Sequence, residues 1–483
     1  MTSSVSFVLD GRIVSHDFAQ ASGVTPTTTL LNYLRGLPAH KGVKEGCAEG
    51  DCGACTVVLG EMHGSRLRYY AVDSCLVFLP MLHGKQVITV ENLRTNGSLH
   101  PVQQAMVETN GSQCGYCTPG IVMSLFSLYK NHDHPSRAVI DNALTGNLCR
   151  CTGYKPIVGA AAQACVQDGI DHFTNDESQI VTLLKTIPSD SVTIRTNTQT
   201  YFRPSSLDEA LAYKHDHPNA FVICGATDVA LRVTKKHELI KEILDLSGID
   251  GLKTVEENGK ALSIGAGLSL SNIIPAIKKD FPALYEMLEV FGSQQIRNLA
   301  TLGGNLGTAS PIGDTIPVLM AYNAEITLQS TSGTRKVHIN DFIKGYRKTD
   351  RLADELIISV TLPKLASGIM VRSYKVSKRK DLDISTLSGG FRLQRSAHNN
   401  VVESIRLAYG GMADHVKRAR AAEQFLIGKR WERAVVEQAM PLIEQDFTPI
   451  SDARGSSEFR ILAARNLLLK FWADTENTDQ RNQ

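Results

Sequence analysis

Apolar positions alternate through residues 5–14 and break at Asp10-Gly11, a pair that accepts positive φ, so the first element predicted is a β-hairpin. Residues 30–37 carry apolar positions at helical spacing, and 56–59 with 67–71 read as a second strand pair. Cys75 stands at the head of an apolar segment, and 87–90 reads as a closing strand. From His100 the period becomes that of helices: 102–108, 121–129, 139–144 and 157–166 predict four short ones, enough for a bundle. Residues 167–195 cross Asp176-Glu177-Ser178-Gln179 and Pro188-Ser189-Asp190-Ser191 without sustained periodicity and read as a linker. Beyond it come a strand at 220–224, a glycine turn and a helix at 229–233. A strand before Gly265 is bounded by an Asn258-Gly259 hairpin turn. Amphipathic helices return after Val416, where Arg418 and Arg420 read as helix-surface charges, and 475–483 reads as a frayed polar tail.

The cysteines change this picture from fold to chemistry. Eight of ten fall into two quartets whose spacings are those of iron–sulfur ligands: Cys47, Cys52, Cys55 and Cys75 have the C-x4-C-x2-C…C order of plant-type [2Fe–2S] loops, and Cys114, Cys117, Cys149 and Cys151 join a C-x2-C to a C-x-C. Thiolates suit iron because soft sulfur stabilises both oxidation states. The small residues between Gly46 and Ala54 let backbone N–H groups approach sulfur. Zinc is the rival, supported only by the C-x2-C pairs Cys52/Cys55 and Cys114/Cys117, and would make the chain a non-redox scaffold. Disulfides are not expected, because the start Met1-Thr2-Ser3-Ser4-Val5-Ser6 is no secretory signal; a cytoplasmic location is expected instead. Cys165 and Cys224, both in apolar stretches, read as buried thiols. Cys117 precedes Thr118 as N-cap and Pro119 as first helical residue, and Cys151 precedes Thr152-Gly153-Tyr154-Lys155-Pro156. Two helix N-termini are therefore expected to face the second, anionic cluster.

Length and charge narrow the class. A chain of 483 residues exceeds one core and predicts three or four domains. A net charge of +2, from 51 basic and 49 acidic residues, gives no electrostatic case for nucleic acid or an anionic membrane, and no apolar run reaches bilayer length.

Two glycine elements are candidate phosphate cradles. Gly225-Ala226-Thr227-Asp228 joins a strand to a helix, a weak signal alone. Ala300 to Pro311 (ATLGGNLGTASP) carries three glycines among hydroxyls, too polar for a core and too glycine-rich for a helix. It reads equally as a pyrophosphate wrap or a surface turn. A dinucleotide fingerprint is absent, since Gly265-Ala266-Gly267-Leu268-Ser269-Leu270 lacks the third glycine. The run from Arg372 to Asp383 is locally basic, with a solvated loop as its plain reading.

Gln113-Cys114-Gly115-Tyr116-Cys117-Thr118-Pro119-Gly120 and Gly146-Asn147-Leu148-Cys149-Arg150-Cys151-Thr152-Gly153-Tyr154, downstream of a plant-type loop, resemble the iron–sulfur region of the xanthine dehydrogenase family of molybdenum hydroxylases. The resemblance implies a multidomain α+β protein: a β-grasp [2Fe–2S] ferredoxin-like domain (1–92), a four-helix-bundle [2Fe–2S] domain (93–170), a linker (171–195), an α+β FAD-binding domain of the vanillyl-alcohol-oxidase (PCMH) type (196–368), an α+β C-terminal flavoprotein domain (369–475) and a tail (476–483). It further implies that Val222, Ile223, Cys224, Gly225, Ala226, Thr227, Asp228, Val229, Phe291, Thr301, Leu302, Gly303, Gly304, Asn305, Ser310, Asp314, Leu356 and Lys375 contact FAD. Phe291 and Leu356 could equally be core residues, and the turn departs from relatives that carry Asn or Glu there, which bears most on Asp228. The resemblance also implies two [2Fe–2S] clusters, NAD⁺ as electron acceptor, and a separate large subunit carrying molybdopterin, in a heterodimer or a dimer of heterodimers. Electrons would then pass from that subunit through the helical cluster, the ferredoxin-like cluster and FAD during oxidation of hypoxanthine or xanthine. An aldehyde, nicotinate or other N-heterocycle hydroxylase would use the same part. No substrate-binding residue or acid–base catalyst is expected on this chain.

Overall fold

The computed structural model describes residues 3–19, 23–166 and 170–480; residues 1–2 of the start, 167–169 of the expected linker and 481–483 of the expected tail lie outside it. The chain forms two compact units, one of residues 1–250 with 292–300, the other of 251–291 with 301–483.

The first unit begins with β1 (Ser4–Leu9) and β2 (Arg12–Asp17), whose turn residues Asp10 and Gly11 have φ of 53° and 71°, the signs a type I′ turn requires. After α1 (Leu30–Gly36), the strands β3 (Thr56–His63), β4 (Arg66–Asp73) and β5 (Gln86–Ile88) complete a sheet of order β2-β1-β5-β3-β4. Its β1 and β5 are parallel and its other pairs antiparallel. Leu30, Leu31 and Leu34 of α1 share a core with Val5, Phe7 and Leu59. That is the expected β-grasp order.

The helical part follows as α2 (Pro101–Glu108), α3 (Thr118–Asn131), α4 (Arg137–Leu144) and α5 (Lys155–Ala164). A fifth helix, α6 (His172–Thr186), occupies the stretch read as a linker and buries Phe173, Ile180, Val181 and Leu184 in the same core. Its cap explains why it forms. Asp171 Oδ1 accepts from Thr174 N–H at 2.7 Å, while the carboxylate also takes His100 Nε2 at 3.1 Å and Lys130 Nζ at 2.8 Å. The unit closes with β6 (Val192–Arg195), β7 (Thr200–Arg203), α7 (Leu207–Asp216), β8 (Phe221–Ile223), α8 (Ala230–Thr234) and β9 (Glu242–Asp245), in a sheet of order β6-β7-β9-β8.

In the second unit β10 (Val255–Glu257) and β11 (Ala261–Gly265) form the Asn258-Gly259 hairpin, before α9 (Leu270–Ile277) and α10 (Pro282–Glu289). Within 292–300, α11 (Gln294–Leu299) belongs to the first unit. Next is α12 (Leu302–Thr308), a helix in a stretch whose glycines argue against one. Thr301 caps it by accepting from Gly304 N–H at 3.0 Å, and Leu302 and Leu306 are fully buried, which outweighs glycine's low propensity. Then come α13 (Thr315–Tyr322), β12 (Glu325–Ser330), β13 (Gly333–His338), α14 (Ile339–Phe342), the short pair β14 (Ile343–Gly345) and β15 (Lys348–Thr349), and β16 (Leu356–Pro363); one sheet runs β10-β11-β16-β12-β13.

A second sheet, β17 (Ile369–Val376), β18 (Leu387–Arg395), β19 (Val402–Gly410) and β20 (Lys417–Arg418), packs on α15 (Arg420–Leu426), α16 (Arg433–Ala439) and α17 (Ser457–Gln480). The basic run is therefore strand through Val376 and loop only beyond it. Arg418 is not a helix-surface charge: it lies on β20 and grips the buried Glu423 at 2.6 Å. Nor is the chain frayed at Thr475, for α17 continues to Gln480 and the fully buried Thr475 accepts from Trp431 Nε1 at 2.9 Å. Among the described residues no helix is long and apolar enough to cross a membrane.

Asp171→Ala strands Lys130 and His100 together, so it is expected to destabilise the protein by about 3 kcal/mol in urea unfolding. Burial opposes the Asp171 charge, but the bonds from His100 and Lys130 hold its carboxyl well below the ordinary range. Its contribution is thus complete above the unfolded carboxylate value, about pH 4, and lost as pH falls below it. The difference between wild type and D171A should shrink accordingly in acid.

Candidate cofactor sites

The first cysteine loop is shaped by conformations that side chains resist. Ala48, Gly50 and Gly53 have φ of 54°, 77° and 68°, and a Cβ on Gly46 would meet Cys52 Sγ at 2.7 Å. This turns N–H groups toward sulfur: Asp51 N and Glu49 N donate to Cys47 Sγ at 3.2 and 3.4 Å, and Cys47 N donates to Cys52 Sγ at 3.4 Å. The Cys52 thiol, followed by these N–H groups, holds Cys47 well below the usual thiol range despite burial. Cys55 and Cys75 are buried with their sulfurs 3.4 Å apart. Contact with Cys75 and burial push the Cys55 thiol up. The four sulfurs thus stand as two pairs, Cys47 with Cys52 and Cys55 with Cys75. Beside them lies Asp73, fully buried, with Oδ1 3.8 Å from Cys55 Sγ and no partner for Oδ2 among the described residues.

The second quartet also meets in twos, Cys117 with Cys149 and Cys114 with Cys151. Cys117 is itself the N-cap of α3, one position earlier than Thr118, whose hydroxyl instead bonds Ser112 Oγ at 2.7 Å. Pro119 is accordingly the second helical residue. Tyr154, left-handed at φ 67°, caps α5 and accepts from Cys149 N–H through its hydroxyl at 2.8 Å. Burial and then Cys149 push the Cys117 thiol up to about 12. Among the described residues no three His, Cys, Asp or Glu side chains gather as ligands of one metal ion. A [2Fe–2S] group takes two thiolates at each iron, so pairs are the unit that fits it.

Sequence spacing did not reveal how the two loops touch. Leu148 N–H, next to Cys149, donates to the carbonyl of Cys52 at 3.0 Å. Asn147 Nδ2 donates to Gly53 O at 3.1 Å and Thr56 Oγ at 3.2 Å, while its Oδ1 accepts from Ser124 Oγ at 2.5 Å and Gln295 Nε2 at 2.8 Å. The backbones approach so closely that a Cβ on Gly120 would stand 2.1 Å from Gly53 O, and one on Gly53 would stand 2.2 Å from Gly146 O. Gly53, Gly120 and the Gly146-Asn147 pair flanking the cysteines are the sequence signal for this contact.

The expected flavin contacts divide between the units. In the first, Val222 and Ile223 end β8, and Cys224, Gly225, Ala226, Thr227, Asp228 and Val229 turn into α8. Gly225 passes so near Leu299 O that a Cβ would meet it at 1.8 Å, and Ala226 is left-handed at φ 58°. In the second unit, Gly303 packs on Ala266, where a Cβ would clash at 2.6 Å, and Asn305 Oδ1 accepts from Thr315 Oγ at 2.6 Å. Asp314 and Lys375 come together, both buried, at 3.2 Å; Asp314 Oδ2 also accepts from Ser385 Oγ at 2.8 Å, and Lys375 donates to Val290 O, adjacent to Phe291, at 2.9 Å. Asp314 Oδ1 is buried without a partner among the described residues. Ser310 Oγ accepts from Ile312 N–H at 3.4 Å, and Leu356 is a core residue at the start of β16.

Three family descriptions match along the chain: a [2Fe-2S] binding domain over 89–162, the FAD binding domain in molybdopterin dehydrogenase over 195–365, and the CO dehydrogenase flavoprotein C-terminal domain over 372–475. Together these three matches resemble the iron–sulfur and FAD-binding part of molybdenum hydroxylases. It is 33% identical to a xanthine dehydrogenase of Emericella nidulans, over 98% of this chain and 38% of that protein, and 32% identical to a xanthine dehydrogenase/oxidase of Gallus gallus, over 97% and 40%. Aldehyde oxidase 3 of Rattus norvegicus is 30% identical over 93% of this chain and 38% of its own length. The chain thus spans about two fifths of the length of these relatives. The carbon monoxide dehydrogenase structure of Hydrogenophaga pseudoflava shares the fold, with a TM-score of 0.54 and 24% identity over 57% of this chain and 96% of that one. Quinoline 2-oxidoreductase of Pseudomonas putida 86 gives 0.52 and 25% over 58% and 98%. The matched domains accordingly imply FAD and a [2Fe–2S] cluster as cofactors.

Asn147→Ala removes the side chain that ties the second cysteine loop to Gly53 and Thr56. The purified variant is expected to lose iron and acid-labile sulfide while keeping its flavin absorbance.

Proposed function

We propose that the chain is the electron-transfer subunit of a xanthine dehydrogenase. It holds two [2Fe–2S] clusters and FAD, and carries electrons from a molybdopterin-bearing partner subunit through the second quartet, the first quartet and FAD to NAD⁺. Cys47, Cys52, Cys55 and Cys75 hold one cluster and Cys114, Cys117, Cys149 and Cys151 the other. When bound, the clusters supply one-electron chemistry and the flavin hydride chemistry. What this chain adds is placement and electrostatics. The single observation that carries the reading is the direct bond from Leu148 N–H to Cys52 O, which joins the two ligand loops ahead of a flavin domain on one chain.

The flavin stretches fit their role chemically. The buried, partnerless Asp314 Oδ1 is an acceptor for a ribose hydroxyl, and the glycines at 303–304 admit a phosphate to backbone N–H groups. Val222 to Val229, Thr301 to Asn305, Ser310, Asp314 and Lys375 are the residues proposed to hold FAD, with Phe291 beside it and Leu356 behind. The likeness to xanthine dehydrogenases over nearly the whole chain supports xanthine as the partner's substrate. The likeness to an aldehyde oxidase favours the second reading, the same role in an aldehyde or N-heterocycle hydroxylase.

The purified chain is expected to contain about four irons, four sulfides and one FAD, the content of two [2Fe–2S] centres and a flavin. Stoichiometric zinc in place of iron would overturn the redox reading. The isolated chain should oxidise NADH with an artificial acceptor and leave xanthine untouched; turnover of xanthine would overturn the subunit reading. In the reduced protein Cys149→Ser should remove one of two paramagnetic signals and spare the signal that Cys47→Ser removes.

A further inference from the structure

The C-terminal sheet of the second unit carries a crowd of cations that no cofactor stretch explains. In the β18–β19 register Arg392 lies directly opposite Arg406, where side chains leave the sheet about 5 Å apart and like charges repel. Arg418 on β20 is opposite Ala408, two residues along β19 from Arg406 and so on the same face. Among the described residues Glu423 is the carboxylate bonded to this group: it takes Arg418 at 3.0 and 2.6 Å and the N–H of Leu407 at 2.7 Å, so it is committed to Arg418. Arg392 Nε and Arg406 Nη1 are buried without any hydrogen-bond partner among the described residues. Burial, then Arg392 and Arg418, bring the Arg406 guanidinium down to about 10, the direction expected of a cation lacking its counter-ion. A buried guanidinium N–H left unmet is destabilising; carboxylate and phosphate oxygens both match the guanidinium fork, and phosphate brings the larger negative charge to two guanidinium groups that lack a carboxylate.

Arg418 also lines a cavity of about 370 Å³ with Lys417, Arg420, His415, Asn340 and Asp446. That is room for a small organic molecule, more than a bare ion needs. The neighbouring charges are partly engaged: Asp446 accepts from Ala421 N–H at 2.8 Å, His415 pairs with Asp414 at 2.7 Å, and Lys417 rests over the Phe447 ring at 5.5 Å.

We propose that Arg392, Arg406 and Arg418, with the adjoining cavity, form a binding site for a small phosphate-bearing molecule. It is separate from the Asp314–Lys375 pair. Lys375 is opposite Ser388, and Arg392 is four residues further along β18, roughly 13 Å at the strand rise.

Calorimetric titration of the FAD-loaded protein with inorganic pyrophosphate at fixed ionic strength tests this. One saturable site is expected in the wild type. Arg406→Met should weaken it by at least about tenfold, the worth of a charge-assisted hydrogen bond. The same variant should raise the melting temperature measured without pyrophosphate, because a repelling charge is gone. Arg420→Ala, exposed at the cavity, should also weaken binding and decides the matter if the first variant does not fold. Absence of saturation at millimolar pyrophosphate, wild-type binding by both variants, or equal affinity for malonate would overturn the proposal.

Discussion

The contact on which the first unit is built is the meeting of two cysteine loops with no side chain between them. Gly53, Gly120 and Gly146 bring three backbones to distances that a single Cβ would forbid. The Leu148–Cys52 hydrogen bond then closes the gap at 3.0 Å. Because the loops are joined through ligand-bearing residues, a shift in one loop is felt in the other. The N–H groups of Glu49 and Asp51 can point at sulfur only while the loop keeps its left-handed residues. Asn147 sets the register of the contact, and Gln295 buttresses Asn147 from α11, a segment that reaches the first unit from far along the chain.

Buried charge is handled differently in the two units. Asp171 is surrounded by donors, so its carboxylate is favoured and serves to lock α6 onto the helical core. Asp314 is bonded on one oxygen and open on the other, the state of a group arranged for a ligand. The arginines of β18 and β19 present the reverse case, donors without acceptors. At Asp314 and at these arginines the unpaired atom, more than the charge itself, points to what the surface receives.

The cysteine quartets and the early strands were legible because their determinants are local: ligand spacing, alternation, and the Asp10-Gly11 turn. The errors share one cause. Helix α6 is anchored by His100 and Lys130, which are distant in sequence from Asp171, and its apolar positions Phe173, Ile180, Val181 and Leu184 are separated by the polar run 174–179. Helix α12 overrides its glycines through the burial of Leu302 and Leu306. Thr475 looked like tail because its partner is the indole of Trp431, buried against a helix whose last turns are polar. Strand register, which opposes Arg392 to Arg406, leaves no trace in either strand read singly. The flavin residues were legible only through family resemblance, for a glycine turn has no local feature that separates a phosphate cradle from a loop.

If the two ligand loops are in contact as described, two clusters bound to them must sense each other magnetically. The most direct measurement is low-temperature electron paramagnetic resonance of the protein poised at half and at full reduction. The account predicts signals that are simple when one cluster is reduced and that split or broaden when both are. Two signals that add without mutual change, or a single signal at full reduction, would contradict it.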